Sequence, residues 1–422
     1  MSNSRLKESN IEWLGKIPKN WELMHNKYLL KKKKSIISKY NNEKILSLTM
    51  NGVIERDLTA GGKMPSSFNG YQKLEKGNLL LCLFDIDVTP RCVGIIPTNG
   101  ITSPAYSQFI LNKGKANLKY YYYYFLMLDN QKTLVHLSKN LRNTLSEQEF
   151  GNLISLCPPL KEQKQIADFL DKKVSRINDI SKKIQQEITD LEKYQKSIIT
   201  KAVTKGLNPN VPMKNSNISW IGEVPSNWHI EKLKFIAETR NNKELLSNVQ
   251  NNYIGLENIV KNTGQYVCSN TTYEEGYYDV CKKGDILYGK LRPNLSKVLV
   301  APFDSCCSGE FLIFKSAKIN LKYLFYYLLS QGITEIATSA IYGTKMPRVS
   351  WDFIKNLFIS FPPKNEDQKE IVNYLDIQCN KIDSILKNKH ILLKKLNQYK
   401  QSIIYEYVTG KKQVPTEEGA KK

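Results

Sequence analysis

The side chains able to read a base edge are gathered in a few short, turn-rich stretches of this chain. YGKLRPNLSK at 288–297 puts Lys290, Arg292 and Asn294 within five residues, between two strand-like runs. Arg or Lys matches the O6/N7 edge of guanine, and Asn or Gln the N6/N7 edge of adenine. FDIDVTPRCVG at 84–94 offers Thr89 and Arg91, with Asp85 and Asp87 as acceptors for a cytosine amino group, although it reads equally as a plain surface turn. A second set lies in IYGTKMPRVS (341–350), with Lys345 and Arg348, and in SKNLRNTLS (138–146), with Lys139, Arg142 and Asn143. In TAGGKMPSS at 59–67, Gly61-Gly62 would let the backbone approach a phosphate beside Lys63, and a flexible hairpin is the competing reading. The Lys31–Lys34 run reads as a solvated face that adds at most nonspecific affinity.

Residues for making or breaking bonds are missing. An amino-methyltransferase needs an Asn- or Asp-Pro-Pro-aromatic loop, whereas the two Pro-Pro pairs read Cys157-Pro-Pro-Leu and Phe361-Pro-Pro-Lys. None of the Gly-Lys pairs, among them those at 15, 114, 289 and 410, is followed by the Ser or Thr of a phosphate loop. Carboxylate pairs such as Asp85 with Asp87, or Glu366 with Asp367, are solvated or capping residues sooner than ligands of a nuclease metal. The 8 cysteines and 4 histidines are irregularly spaced without C-x-x-C, which argues against a zinc site and a disulfide framework and reads the cysteines as buried residues of a reducing compartment.

Lys and Arg number 62 against 40 Asp and Glu, and the formal charge of +22 is spread along the chain, so a polyanion is the expected partner. The N-terminus MSNSRLKESN has no apolar core, and no uncharged run approaches the roughly 20 residues of a membrane span. A cytoplasmic protein without membrane contact is expected.

The elements that must position the candidate readers occur twice. IEWLGKIPKNWEL at 11–23 returns as ISWIGEVPSNWHI at 218–230, with Trp13, Pro18 and Trp21 matched by Trp220, Pro225 and Trp228. EKGNLLL (75–81) returns as KKGDILY (282–288), and NLKYYYYYFL (117–126) as NLKYLFYYLL (320–329). Pro158-Pro159 pairs with Pro362-Pro363, QKQIADFLD with QKEIVNYLD, and YQKSIITKAVT from Tyr194 with YKQSIIYEYVT from Tyr399. A unit of about 205 residues is too long for a solenoid and reads as a duplicated module: a mixed domain, then a long helix. In the mixed part, runs such as NLLLCLF and KVLVAPF read as short strands. Tyr120–Tyr124 lie at helical spacing and are expected to pack, a base-stacking platform being the lesser reading. The near-identical Trp entrances cannot distinguish two targets and are expected to pack against their own domain or a partner subunit.

After each Pro-Pro pair the pattern becomes a single apolar stripe. It runs through Ile166, Leu170, Val174, Ile177, Ile184, Ile188, Leu191 and Ile198, with no Gly or Pro from 160 to 205. In the second copy it runs through Ile371, Leu375, Cys379, Ile382, Ile385, Leu393, Leu396 and Ile403. Forty residues at 1.5 Å each make a rod of roughly 60 Å that cannot cover its own stripe, so the two helices are expected to cover each other. The expected fold is α+β: two mixed α/β target domains, each followed by a long helix, the helices paired as an antiparallel coiled coil with pseudo-two-fold symmetry and spacing the domains.

This ordered set of motifs, present in both copies from about residue 11 to 410, resembles the specificity subunit of Type I restriction-modification systems. The resemblance implies target recognition domains at 1–160 and 218–363, helical spacers at 161–205 and 364–410, a linker at 206–217 and a polar tail at 411–422. It also implies that each domain reads one half of an asymmetric, split target on double-stranded DNA. Implied partners are modification (methyltransferase) subunits, two of them, and restriction/translocase subunits. No cofactor is expected in this chain; S-adenosylmethionine, ATP and Mg belong to the partner subunits, and the chain is noncatalytic. Two other readings stand beside this one: a coiled-coil protein-binding scaffold without DNA readout, and a self-contained DNA-modifying enzyme with unusual motifs.

Overall fold

A computed structural model of the chain describes residues 6–59, 65–89, 91–138, 143–250, 252–269, 271–341 and 347–415. The chain divides into two compact units, Met1–Lys182 with Leu392–Lys422, and Lys183–Ile391. Each is built on a four-stranded antiparallel sheet. In the first unit the strand order is Leu30–Lys33, Tyr106–Leu111, Leu79–Cys82, Val93–Ile95. In the second it is Ala237–Thr239, Phe311–Ala317, Ile286–Gly289, Val298–Val300, the same order of matching segments.

The NLLLCLF run is continuously apolar because its strand is covered on both faces. Leu79 and Leu81 enter the main core with the tyrosine helix, while Leu80 faces a second cluster with Leu46, Val53, Leu74 and Ile96. Alternation with a period of two residues produces that split. Ile286 and Tyr288 against Leu287 repeat it in the second unit. The strand is entered through a turn that Gly77 and Gly284 make at φ +85° and +93°, a region costly for other residues, with their N–H groups on Ile96 and Ala301 carbonyls. That is the physical content of the K-G-[ND] motif.

The units differ outside these sheets, in segments both before and after the central strand. The first unit has a hairpin, Leu46–Thr49 with Gly52–Glu55, and a pair, Gln72–Leu74 with Gly100–Thr102. The second builds a further four-stranded sheet there, which includes the parallel pair Tyr253–Ile254 and Ser305–Cys307. The Lys31–Lys34 run is an edge strand. Lys32 pairs with Glu147 at 3.1 Å and Lys33 with Glu75, so half of the run is neutralised by partners on the protein itself.

The tyrosines pack. Helix Leu118–Asn130 starts on Asn117, whose side chain accepts from Lys119 N and Tyr120 N, and Asn320 does the same for helix Leu321–Leu329. Tyr120, Tyr121, Tyr123 and Tyr124 are buried. Their hydroxyls serve the frame: Tyr121 donates to Leu156 O at 2.9 Å and Tyr123 to Asp171 at 2.9 Å, and Tyr326 repeats the latter bond to Asp376 at 2.7 Å.

The long helices, Leu160–Lys205 and Asn365–Val408, are unbroken over 46 and 44 residues. In each unit the opening half of one runs antiparallel to the closing half of the other. The first unit pairs Phe169 with Tyr407 and Asn178 with Lys400; the second pairs Glu187 with Lys389 and Gln195 with Asp383. Ile166, Leu170, Ile177, Ile184 and Ile188 are buried as the stripe requires. Ile385 is a correction: it is 44% exposed and its neighbour Leu386 takes the buried position. Towards the first helix's end, buried Gln195, Ile199, Ala202 and Val203 continue the stripe, with Ile198 only partly covered. The 3.6-residue turn drifts against the three-and-four pattern, which moves the seam by one residue in these places.

Candidate nucleic-acid interface

The shared motifs turn out to be clasps. Buried Gln163 donates from Nε2 to the Pro158 and Lys115 carbonyls, at 2.7 and 2.8 Å, while its Oε1 accepts from Asn117 N at 2.7 Å. Gln368 makes the matching bonds to Pro362 O and Asn320 N, at 2.8 and 2.7 Å. Glu162 accepts from Trp21 Nε1 at 2.8 Å and Asn20 Nδ2 at 2.6 Å, which ties the Trp entrance to the opening of its own module's helix. The closing turn of the other module's helix completes each unit. Tyr120 donates to Val408 O and Tyr323 to Val203 O, both at 2.9 Å. Gly410 and Gly206, left-handed at φ +72° and +71°, leave a gap that Trp21 and Trp228 fill; a Cβ on Gly410 would come within 2.5 Å of Pro18. The entrances therefore have a packing role, as their near-identity suggests.

On this frame the connection from the central strand to the sheet edge forms a tip in each unit, and the tip joins the segment that precedes the last strand. In the second unit Val349 N donates to Lys290 O at 3.1 Å, Arg292 N to Pro347 O at 2.8 Å, and Lys290 N to Glu310 O at 2.8 Å. In the first, Leu145 N donates to Leu83 O at 2.7 Å and Ile86 N to Asn143 O at 3.2 Å. Of the second set, Asn143 thus meets the first tip and the segment of Arg348 meets the second, each across more than 50 residues of sequence.

In the second unit Pro293 is buried and pins a short 3-10 turn, Pro293–Leu295, flanked by Arg292 and Ser296 at φ +51° and +43°. Arg292 and Asn294 are exposed on it, and Lys290 is half-buried. Arg348 donates from Nη2 and Nε to the two carboxylate oxygens of Glu310, at 2.6 and 3.0 Å, a bidentate pair that holds the Glu310 carboxyl below its usual range. Arg348 therefore braces the tip. Lys297, whose ammonium donates to Leu256 O, has its pKa lowered by burial. Lys290 also lines a cavity of about 190 Å³ with Arg240, Asn241, Asp279 and Trp351. There Arg240 is held by Asp285 at 2.7 Å, the Asp of the K-G-D motif.

In the first unit Asp85 takes φ +44°, and its carbonyl accepts from Val88 N, Thr89 N and the Thr89 hydroxyl, at 3.2, 2.9 and 2.8 Å. The Thr89 hydroxyl thus closes the turn. Asn143, at φ +45°, accepts from the Ser138 hydroxyl. Arg91 is half-buried; burial raises the pKa of the Tyr122 hydroxyl and Arg91 partly offsets it, while the Lys400 pKa is lowered first by burial and then by Arg91. Lys63, Lys139, Arg142 and Lys345 lie outside the described residues. Sequence reasoning missed Glu310, the anchor of Arg348, and Lys132, whose ammonium reaches the Ile86 and Thr89 carbonyls at 3.4 and 3.3 Å and pairs with Asp129 at 3.6 Å. Both act across about 40 residues of sequence, and no local pattern marks them. Among the described residues no group of three His, Cys, Asp or Glu is placed to hold a metal ion, and no helix is long and apolar enough to cross a membrane.

The sequence model of the Type I restriction modification DNA specificity domain matches residues 92–190 and 225–411, more than half of the chain. The chain belongs to this specificity-domain family. It is 28% identical over 280 residues to the Type I restriction enzyme MjaVIII specificity subunit of Methanocaldococcus jannaschii, covering 62% of this chain and 63% of that protein. It is 25% identical over 272 residues to the Type I restriction enzyme EcoDI specificity subunit of Escherichia coli, covering 60% and 61%. Both matches span less than two thirds of the relatives' own length. Among solved structures, a chain from a study of complex assembly and conformational transition of the type I R-M system superposes with a TM-score of 0.65 at 14% identity, over 93% of this chain and 98% of that one. At such identity the likeness is one of fold. The two matched segments of the family model fall in the two copies of the module.

Proposed function

We propose that this chain is the DNA sequence-recognition subunit of a Type I restriction-modification complex, acting in the cytoplasm. Each unit reads one half of a split, asymmetric target on double-stranded DNA. Exposed Arg292 and Asn294, with Lys290, are readers in the second unit; Thr89, Arg91 and Asn143 serve the first. Arg348 braces the second tip, and Lys63, Lys139, Arg142 and Lys345 are further DNA contacts proposed on their sequence alone. Methyl transfer, ATP-driven translocation and cleavage belong to partner subunits, which hold S-adenosylmethionine, ATP and Mg; two modification subunits fit the duplicated frame. The chain itself performs no reaction.

One observation carries this reading: the Gln and Tyr clasps recur in the two units while the tips they support differ, Asp85, Asp87 and Val88 on one and Lys290, Arg292 and Asn294 on the other. A scaffold for two copies of one partner would have no use for different tips. The test is exchange of residues 25–157 for those of a relative with another specificity. Half of the methylated motif should change while the other half stays, and an unchanged motif, or methyl transfer by the purified chain alone, would overturn the proposal.

A further inference from the structure

The first tip carries an apolar side chain where the second carries a cation and an amide. Val88 is 73% exposed, yet it stands on a turn that is fixed from below. Ile86 is fully buried, Val88 N and Thr89 N both close onto Asp85 O, and the Lys132 ammonium holds the carbonyls on either side of Val88. These bonds hold the backbone on which the valine stands. Asp85 and Asp87 beside it are also exposed, and two carboxylates repel a phosphate, so the tip is unsuited to seating the DNA backbone. It suits the floor of the major groove. There the bases present a single apolar group, the C5-methyl of thymine.

We propose, resting on the DNA-recognition reading above, that Val88 is a specificity-determining residue of the first unit and packs against the C5-methyl of one thymine in that unit's half-site. The second tip, with exposed Arg292 and Asn294, takes purine edges instead, so the two halves of the target are told apart by different base chemistry on equivalent frames. Val88 belongs to no hydrophobic cluster of the described residues, so its truncation should leave the fold intact.

The experiment uses the full chain with its partner subunits and a duplex carrying the methylated motif. Thymines of the first half-site, on either strand, are replaced one at a time by deoxyuridine, which lacks only the methyl group. One replacement is expected to weaken binding about fourfold, the fold-change for one buried methyl. Val88→Ala, which keeps only one methyl group, should show a clearly smaller difference between the thymine and deoxyuridine duplexes than the unaltered chain. Indifference of the unaltered chain to every replacement, a full deoxyuridine penalty in V88A, or a first half-site without thymine would overturn the proposal. A scrambled duplex separates the two levels: if the motif is still preferred while deoxyuridine is tolerated, only the role of Val88 fails, and if the motif is not preferred at all, the recognition reading itself fails.

Discussion

Gln195 on the first long helix donates from Nε2 to Asp383 Oδ1 on the second at 2.9 Å, and the matching positions of the other unit hold Lys400 and Asn178 at 3.3 Å. A polar pair inside an apolar seam fixes register, because any slip leaves its members without partners. The two pairs differ in what they risk. Gln195 is 4% exposed, and Asp383 also accepts from Gln265 at 2.6 Å. The Lys400 ammonium can still reach solvent.

Asp383→Ala should therefore destabilise the protein by about 1–3 kcal/mol, since it strands a buried amide, whereas Asn178→Ala should stay within about 0.5 kcal/mol. Denaturant unfolding of both variants checks the order. Equal effects would mean that the seam does not depend on the buried pair.

At the second tip, Arg292→Ala should lower affinity for the motif about 10- to 100-fold and relax selectivity at one base pair of the second half-site. Lys31→Ala, on the edge strand, should weaken binding slightly and equally for all sequences, with a shallower salt dependence. Competition binding over a salt series distinguishes the two patterns.

Glu310 gives a test in which simple electrostatics and the bracing role disagree in sign. Glu310→Gln removes a negative charge near the tip, so charge alone predicts tighter binding of any DNA. Loss of the bidentate brace on Arg348 predicts instead about tenfold poorer discrimination between the motif and other sequences, with nonspecific binding unchanged or stronger. The pH dependence follows. The Glu310 carboxyl lies below its ordinary value of 4.5 because Arg348 stabilises the charged form, so its contribution to stability is complete above that value and is lost as pH falls through the lower folded value. Discrimination should hold from neutral pH down to about 5. Loss that begins near pH 7 would point to another group.

Most of the frame is legible in the sequence because it is written twice. The tyrosine helix, the central strand and both long helices each carry a period or cap that repeats, and the repeat separates what the fold needs from what a target needs. Ile385 shows the limit: a stripe read at three- and four-residue steps cannot say which of two adjacent residues faces the seam until the partner helix is in place. The tips were visible as turn-rich stretches carrying groups able to read bases, and their convergence on the 143–145 and 347–349 segments was not, because hydrogen bonds such as Arg292 N to Pro347 O join distant residues. Val88 went unread for a different reason. An isolated valine in a turn is unremarkable until its exposure and the rigidity beneath it are known.

Recognition by two non-identical units is tested most directly by mapping methylated adenines across the host genome with and without this chain. One motif should disappear with the chain, split into two different half-sites around a fixed gap of unspecified bases. A continuous motif, a palindromic one, or a methylation pattern that does not change would contradict recognition of separate half-sites by separate units.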